Sequence, residues 1–237
     1  MLSNSWTDLI KWTNDNSGFL SLILFLVTIL FGWISGLFNS LIKKPKLKVR
    51  FIEKSSFFSF FYTGNQSYEE QLNETFNLHQ TGFAVYMSIA NVGNMPTSID
   101  KIYLGYYKNT TKTKLFDKQM VWLPQSHIFA DFKFEYGESL VFIPPLRTRS
   151  DVFNQRRTDS LDVGESIVGV AYFEQGEAWG NLNPKSSDGD GTIKVVIKIR
   201  DVYGKHYKFK TTLKPKAIEE ARTINEAFGL TTNITKD

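Results

Sequence analysis

The sequence contains no cysteine and only three histidines among its 237 residues. The absence of cysteine excludes disulfide bonds, thiolate metal sites and cysteine nucleophiles, and it is typical of a reducing compartment. His79, His127 and His206 do not stand at metal-ligand spacings, and no H-E-x-x-H or G-x-S-x-G motif supports a zinc site or a serine triad. We therefore expect no enzymatic activity, no catalytic residue, no metal and no cofactor.

Motifs that hold nucleotides or calcium are also lacking. The sequence has no G-x-x-x-x-G-K-S/T loop and no dinucleotide fingerprint. Residues 187–191 (SDGDG) contain two aspartates, but the glutamate that closes an EF-hand loop is missing, so a turn before a strand is the better interpretation. A weak anion-binding candidate is a predicted loop with four arginines, for which a solvated loop is the preferred interpretation: Arg147, Arg149, Arg156 and Arg157.

Charge is absent from the whole segment 16–42. A helix of about 20 apolar residues crosses a hydrocarbon core of ~30 Å, so the segment is long enough to span a membrane. We predict a transmembrane helix over 17–42, preceded by a short extramembrane leader, residues 1–16. A cleaved signal peptide is disfavoured, because its apolar core is only about 7–15 residues long and its start is basic.

A basic juxtamembrane segment, residues 43–50, follows at once with Lys43, Lys44, Lys46, Lys48 and Arg50. Basic residues next to a span tend to remain cytoplasmic, which predicts a single-pass protein with a cytoplasmic C-terminal domain, in the inner membrane if the source is bacterial. The net charge of +4 is concentrated here, so membrane lipid is an expected partner and nucleic acid is not.

Small residues recur every fourth position along the predicted span, at Thr28, Gly32, Gly36 and Ser40. On a helix these positions share one face, and small residues at this spacing allow two helices to pack closely in lipid. This stripe predicts pairing of the protein with itself or with another membrane protein. The alternative is that Gly and Ser are simply common in membrane helices.

The remaining sequence is dominated by short alternating strands, with a polar loop predicted over 64–81. It predicts a β-sandwich over 51–214, then a short helix and a tail over 215–237, where apolar residues recur at helical spacing after Pro215. The predicted strands are 47–52, 57–62, 83–90, 98–107, 140–143, 166–173, 192–200 and 205–213.

Two turn motifs carry a resemblance. N-x-G-x-x-P (Asn91–Pro96) and D-x-Y-G-K (Asp201–Lys205) each join two predicted strands. This order resembles immunoglobulin-like antiparallel β-sandwiches of bacterial envelope and membrane-tethered proteins, although the Cys–Trp–Cys core of antibody domains is missing. The resemblance covers roughly residues 83–213 and implies a mainly β architecture, without an activity.

Aromatic-rich connections are the remaining candidates for binding. Trp122 and Trp179 lie in such connections, and tryptophan is a favoured interface anchor, so both are weak partner-binding candidates. We expect a membrane-anchored, non-enzymatic binding module that associates through its transmembrane helix. Two alternatives are a membrane effector of bacterial anti-phage immunity gated by a nucleotide-type ligand, and an envelope assembly or adhesion protein with an external sandwich. The sequence does not identify a small-molecule ligand.

Overall fold

The computed structural model describes residues 2–37, 43–108, 120–148, 160–186 and 190–230. The chain divides into two compact units, Met1–Lys44 and Pro45–Asp237. Strands account for 51% of the structure and helices for 20%, so the predicted mainly β class is confirmed.

The first unit consists of helix α1 (Leu2–Asp15) and helix α2 (Ser17–Ile34). Helix α2 is long and apolar enough to cross a membrane. Polar side chains of α2 form hydrogen bonds with backbone carbonyls of the same helix; for example, Thr28 Oγ1 donates to the Leu24 carbonyl at 2.7 Å. The helix ends at Ile34 because Gly36 adopts a φ of +74°, a left-handed conformation that favours glycine and terminates helices.

These helices differ from the prediction at both ends. Most of the predicted leader, residues 1–16, is helical, because α1 occupies Leu2–Asp15; a helix here was not among the predicted elements. The predicted span runs on to residue 42, but the helix stops eight residues earlier, and residues 38–42 lie outside the described part of the chain.

The second unit is built on one mixed sheet. Within the described residues, nine strands follow the order β1-β3-β2-β11-β10-β4-β5, with β8 paired to β4 and β9 to β3, while β6 and β7 form a separate hairpin. The strands are β1 (Leu47–Phe51), β2 (Phe57–Glu69), β3 (Glu74–Asn91), β4 (Thr97–Tyr107), β5 (Met120–Pro124), β6 (Phe132–Tyr136), β7 (Ser139–Ile143), β8 (Ser160–Leu161), β9 (Ser166–Glu174), β10 (Ile193–Asp201) and β11 (His206–Lys216).

Alternation of apolar and polar residues places the main core. Every second residue of β10 is buried, and so is every second residue of the central part of β4. Side chains on a strand point alternately to opposite faces, so the apolar set of each strand meets the other strands on one side. The main core joins inward residues of β3, β4, β9 and β10, including Phe83, Leu104, Phe173 and Ile197.

A second core lies on the other side of β3 and β9. The β6–β7 hairpin, helix α3 (Ile218–Ile224) and the turn after it cover Phe57, Ala84 and Tyr172. Phe228 is fully buried there and stacks on Phe57, with ring centroids 5.5 Å apart. The predicted short C-terminal helix is therefore present, over Ile218–Ile224.

Three parts of the strand prediction are wrong. Residues 64–81 are not a loop, because β2 and β3 extend through them as a long hairpin. The aromatic connection around Trp122 contains strands β5 and β6. The sheet is mixed instead of purely antiparallel, because Lys214–Lys216 of β11 pair in parallel with Phe57–Ser59 of β2.

Candidate binding surface

The outward sides of β4, β10 and β11 form one basic face. Successive β10 residues alternate between buried and solvent-facing, and the solvent-facing residues of β10 lie opposite those of its neighbours in the antiparallel register. The cations on this basic face are Lys101, Lys194, Lys198, Arg200, Lys208, Lys210 and Lys214.

Acidic side chains do not neutralise the centre of the basic face. Strands β4, β5, β10 and β11, which are described in full, contain two acidic residues. Asp100 accepts a hydrogen bond from Arg200 at 2.6 Å, and Asp201 is buried beneath the β10–β11 turn. Lys198 lies directly opposite Lys208 across the ladder, an arrangement of like charges that destabilises a sheet. The strand pairing thus keeps two like charges on the same solvent-facing side of the sheet.

Two aromatic rings flank the central lysine of the basic face. The Lys198 Nζ lies 4.3 Å from the ring centroid of Trp122 and 4.5 Å from that of Tyr103. Trp122 rests on Gly105, where an added Cβ would come within 2.8 Å of its ring. Cation–π contacts and the close fit to glycine hold the indole over the sheet while leaving it partly exposed. The face therefore combines fixed positive charge with an aromatic platform.

A cavity of about 220 Å³ adjoins this platform, lined in part by Lys101, Tyr103, Gln125 and His127. The amide of Gln125 donates to the Leu146 carbonyl, while its buried carbonyl oxygen has no partner. Pockets for small-molecule ligands usually measure about 300–1,000 Å³. The cavity is thus better sized for one side chain of a bound protein than for a complete ligand.

A larger cleft of about 550 Å³ lies between the β6–β7 hairpin and helix α3. Three lysines, Lys54, Lys133 and Lys216, and two glutamates, Glu135 and Glu220, line it, and the Lys216 ammonium lies 3.3 Å from the Glu220 carboxylate. The volume falls within the usual range for ligand pockets. This cleft is a second candidate site, for a small anionic molecule.

The predicted partner-binding residues belong to different surfaces. Trp122 is part of the basic face, on β5. Trp179 instead stacks on Phe76 of β3, with ring centroids 4.4 Å apart and the planes inclined by 9°. Arg147 is exposed beyond β7, while residues 149, 156 and 157 of the predicted anion-binding loop lie outside the described residues.

The predicted membrane-surface residues are solvent-facing. Lys43 and Lys44 are exposed, and Lys46, Lys48 and Arg50 alternate with buried or half-buried residues along the start of β1.

The predicted helix-pairing stripe is divided by the end of α2. Thr28 and Gly32 lie within the helix, Gly36 lies beyond its end, and Ser40 lies outside the described residues. Helix pairing stays a prediction.

Histidines do not assemble a metal site in the described part of the chain, where no group of three His, Asp or Glu side chains could hold an ion. His79 is buried against Phe60, and burial lowers its pKa. Asp190 accepts hydrogen bonds from the backbone N–H and the hydroxyl of Thr192, which lower the pKa of its carboxyl group. This aspartate caps the start of β10, as the interpretation of a turn predicts.

The basic face itself was not recognised in the sequence. The signal is the alternation of lysines in residues 194–200 and 206–214. This alternation predicts only that the lysines of each strand face solvent, and it does not show that the two sets share one surface. The pairing of β10 with β4 adds Lys101 and Tyr103, and the pairing of β4 with β5 adds Trp122, so the face joins segments that are far apart in the chain.

The sequence matches no protein-family model and no curated protein. Among solved structures, it is similar to a protein described as ApaA from Bordetella pertussis, at 13% identity and a TM-score of 0.30, covering 73% of this chain and 97% of that chain. It is also similar to the sporulation control protein Spo0M from Bacillus subtilis, at 11% identity and a TM-score of 0.33, covering 74% of this chain and 51% of that one. The chain thus spans about half the length of the Spo0M structure. TM-scores in this range assign neither a fold family nor a function.

Proposed function

We propose that this protein is a membrane-anchored, non-enzymatic binding module whose basic face holds an acidic segment of a partner protein. The observation that carries the proposal is the opposition of Lys198 and Lys208 without a carboxylate between them, beside the platform of Trp122 and Tyr103. An acidic segment would relieve the repulsion between the lysines. Aromatic anchors and a side-chain-sized cavity would give it a fixed register.

Anchoring is the second part of the proposal. Helix α2 spans the membrane, and the β unit, an immunoglobulin-like sandwich, lies on the cytoplasmic side, next to the basic residues that follow the helix. In a bacterium this is the inner membrane. Gly32, which lies within α2, leaves room for the close approach of another helix, and this supports pairing of α2 with a second copy or with another membrane protein.

Binding through the basic face is tested with the full chain in detergent. The probes are a fluorescent glutamate-rich peptide and, separately, a single-stranded oligonucleotide of equal charge, and fluorescence anisotropy measures their affinity at two salt concentrations. We expect the double variant Lys198→Glu, Lys208→Glu to weaken peptide binding at least about tenfold, the equivalent of about 1.4 kcal/mol.

The matched control is Lys133→Glu combined with Lys54→Glu, which makes the same change of net charge away from the basic face. An equal loss of affinity in both double variants would show that net charge alone attracts the peptide and would contradict the proposal. Tighter binding of the oligonucleotide than of the peptide would replace the acidic protein by nucleic acid.

The side of the membrane is tested separately. The chain has no cysteine, so single cysteines at Ser5 and at Leu72, an exposed residue between β2 and β3, report their side by reaction with an impermeant maleimide in intact cells. Labelling at Ser5 alone is expected. Labelling at Leu72 alone would favour an external envelope assembly or adhesion protein.

A second candidate function is gating by a nucleotide-type ligand, as in a membrane effector of bacterial anti-phage immunity. The cleft of about 550 Å³ with Lys54, Lys133 and Lys216 favours it. Binding of a cyclic nucleotide would raise the melting temperature of the full chain, and Lys54→Glu with Lys133→Glu would abolish that increase. An unchanged melting temperature with every cyclic nucleotide tested would exclude this candidate.

A further inference from the structure

Three turns and the first residues of the β unit meet at one end of the sheet, which we call the entry end. The turns join β3 to β4, β8 to β9, and β10 to β11. All are tied to the place where the chain enters the unit, at Pro45 and Lys46. The entry end is separate from the basic face, which runs along the strands.

Hydrogen bonds show how closely these segments are joined. The Asn91 side chain donates to the carbonyls of Met95 and Leu161, at 2.8 and 3.0 Å, and accepts from the Lys46 N–H at 3.3 Å. The Val92 N–H donates to the Lys46 carbonyl at 2.8 Å. The β3–β4 turn, β8 and the entering chain are thus held by one buried side chain and its neighbour.

The β10–β11 turn is held in the same way. The Tyr207 hydroxyl lies 2.9 Å from the Pro45 carbonyl and 3.1 Å from the Asp201 carboxylate. Burial, together with the hydrogen bond and charge of Asp201, raises the pKa of Tyr207. The hydroxyl therefore stays protonated and acts as a hydrogen-bond donor. Lys205 Nζ also reaches the Pro45 carbonyl, at 3.5 Å.

Each of the three turns exposes a large apolar side chain. The exposed fractions are 49% for Val92, 54% for Val163 and 58% for Tyr203. Turn positions normally carry Gly, Asn, Asp, Ser or Pro, whose backbone and polar side chains suit both the turn and water. Three such side chains, contributed by separate turns at one end of the sheet, form a candidate contact surface for a partner.

The chain itself indicates what this partner is. Helix α2 ends at Ile34 and the β unit begins at Pro45, so the connecting segment extends at most about 40 Å. If α2 crosses a membrane, the entry end is the part of the unit that is joined most directly to the bilayer.

The charges at the entry end also favour a lipid surface. Exposed Lys43, Lys44, Lys46 and Lys205 lie in or next to the entering chain and the β10–β11 turn. They outnumber the carboxylates of the β8–β9 turn, Asp162 and Glu165. Lysines beside apolar residues and a tyrosine are the combination that binds headgroups and the interfacial region.

We propose that the entry end rests on the bilayer, with Val92, Val163 and Tyr203 inserted among the headgroups. This inference relies on the proposed anchoring by α2. It adds a second contact with the membrane surface, which fixes the orientation of the β unit. In this orientation the basic face does not contact the membrane and remains accessible to its partner. A flexible tether alone would leave that orientation free.

The experiment uses the full chain in lipid nanodiscs, with single cysteines carrying the environment-sensitive fluorophore NBD. The test sites are Val92, Val163 and Tyr203, and the positive control is Phe25 in the middle of α2. The matched negative control is Leu72, whose exposed fraction of 57% is close to those of the test sites but which lies at the β2–β3 turn. Quenching by spin-labelled lipids measures contact with the bilayer, and near-ultraviolet circular dichroism confirms that each variant is folded.

We expect NBD at the three test sites to emit at shorter wavelength than at Leu72 and to lose much of its intensity with headgroup-proximal spin labels. Quenching at Phe25 with test sites that behave like Leu72 would overturn the surface contact and leave the anchor intact. No quenching at Phe25 would show that the proposed anchoring is itself wrong. Equal quenching at Leu72 and the test sites would show that the entry end is not specifically in contact with lipid, and would also contradict the proposal.

Discussion

Replacing Asn91 tests how the entry end is held together. Asn91 is fully buried, and its side chain makes four hydrogen bonds within 3.3 Å, to the Met95 and Leu161 carbonyls and from the Gly93 and Lys46 N–H groups. Two of these connect segments that lie 45 and 70 residues away in the sequence. No other side chain of similar size could replace this set of donors and acceptors.

The magnitude follows from the number of bonds. A typical hydrogen bond contributes about 1 kcal/mol net, so Asn91→Ala removes about 4 kcal/mol. Water reaches the partners in the β3–β4 turn after the substitution, which reduces the expected loss to about 3 kcal/mol. Domains of this size are stable by only about 5–15 kcal/mol, so the effect is a large part of the total. Asn91→Asp is expected to be at least as harmful, because it places an oxygen against the Met95 and Leu161 carbonyls.

Chemical denaturation of the full chain in mild detergent, followed by tryptophan fluorescence, measures the change in unfolding free energy. The control is Asn94→Ala, an exposed position in the same turn, which we expect to lower the free energy by at most about 1 kcal/mol, because water replaces a lost hydrogen-bond partner at an exposed site. A loss below about 1 kcal/mol for Asn91→Ala, or equal losses at both positions, would refute the reasoning.

Three further predictions concern other parts of the fold. Phe228→Ala removes a ring that stacks on Phe57 and meets Tyr172 edge to face, and it should lower the unfolding free energy by about 3–5 kcal/mol in the same denaturation assay. A loss under about 1 kcal/mol would show that the C-terminal turn is dispensable for the second core. The lowered pKa of His79 means that the unfolded chain binds its proton first, so stability should fall as the pH drops below about 6.5. His79→Phe should reduce this fall in melting temperature between pH 7.5 and 5, whereas His206→Gln should not, and equal slopes in all three proteins would contradict the assignment. Gly105→Ala should displace Trp122 and shift its fluorescence, while an unchanged spectrum would show that the indole does not rest on the glycine.

The sequence predicts elements well where one side of a strand is apolar. In β10, isoleucine and valine alternate with lysine, and a D-V-Y-G turn leads directly into β11, so both strands and their hairpin are confirmed. The spacing of Ile99, Ile102 and Leu104 breaks strict alternation, which is typical of a bulge or of burial on both sides of a strand. The structure has a register shift between Arg200 and Asp201, opposite this break. Helix α2 is recognisable because its apolar residues are continuous.

The outer half of the β2–β3 hairpin could not be predicted in this way. Its residues are mostly polar on both sides, so they show no hydrophobic period. Side-chain bonds across the ladder support it instead, as Gln66 donates to Asn77 at 2.9 Å and Tyr68 to Asn73 at 2.5 Å. Such pairs depend on a register that only the folded chain defines.

The basic face was missed for a different reason. Alternation reports which side of a strand faces water, but not which strand lies beside it. Lys198 and Lys208 are close in the sequence and their pairing follows from the hairpin, whereas Tyr103 and Trp122 join them through pairings across long connections. The site is thus a property of topology, which local periodicity does not contain.

The attachment of the chain at Pro45 also has a mechanical consequence. Strand β1 begins two residues later and pairs with β3 over Leu47–Phe51. Hydrogen bonds of an antiparallel ladder lie perpendicular to the strands, so a force applied at Pro45 along the direction of β1 would load the β1–β3 ladder in shear. All bonds of the ladder would then share the force, instead of opening one after another from an edge.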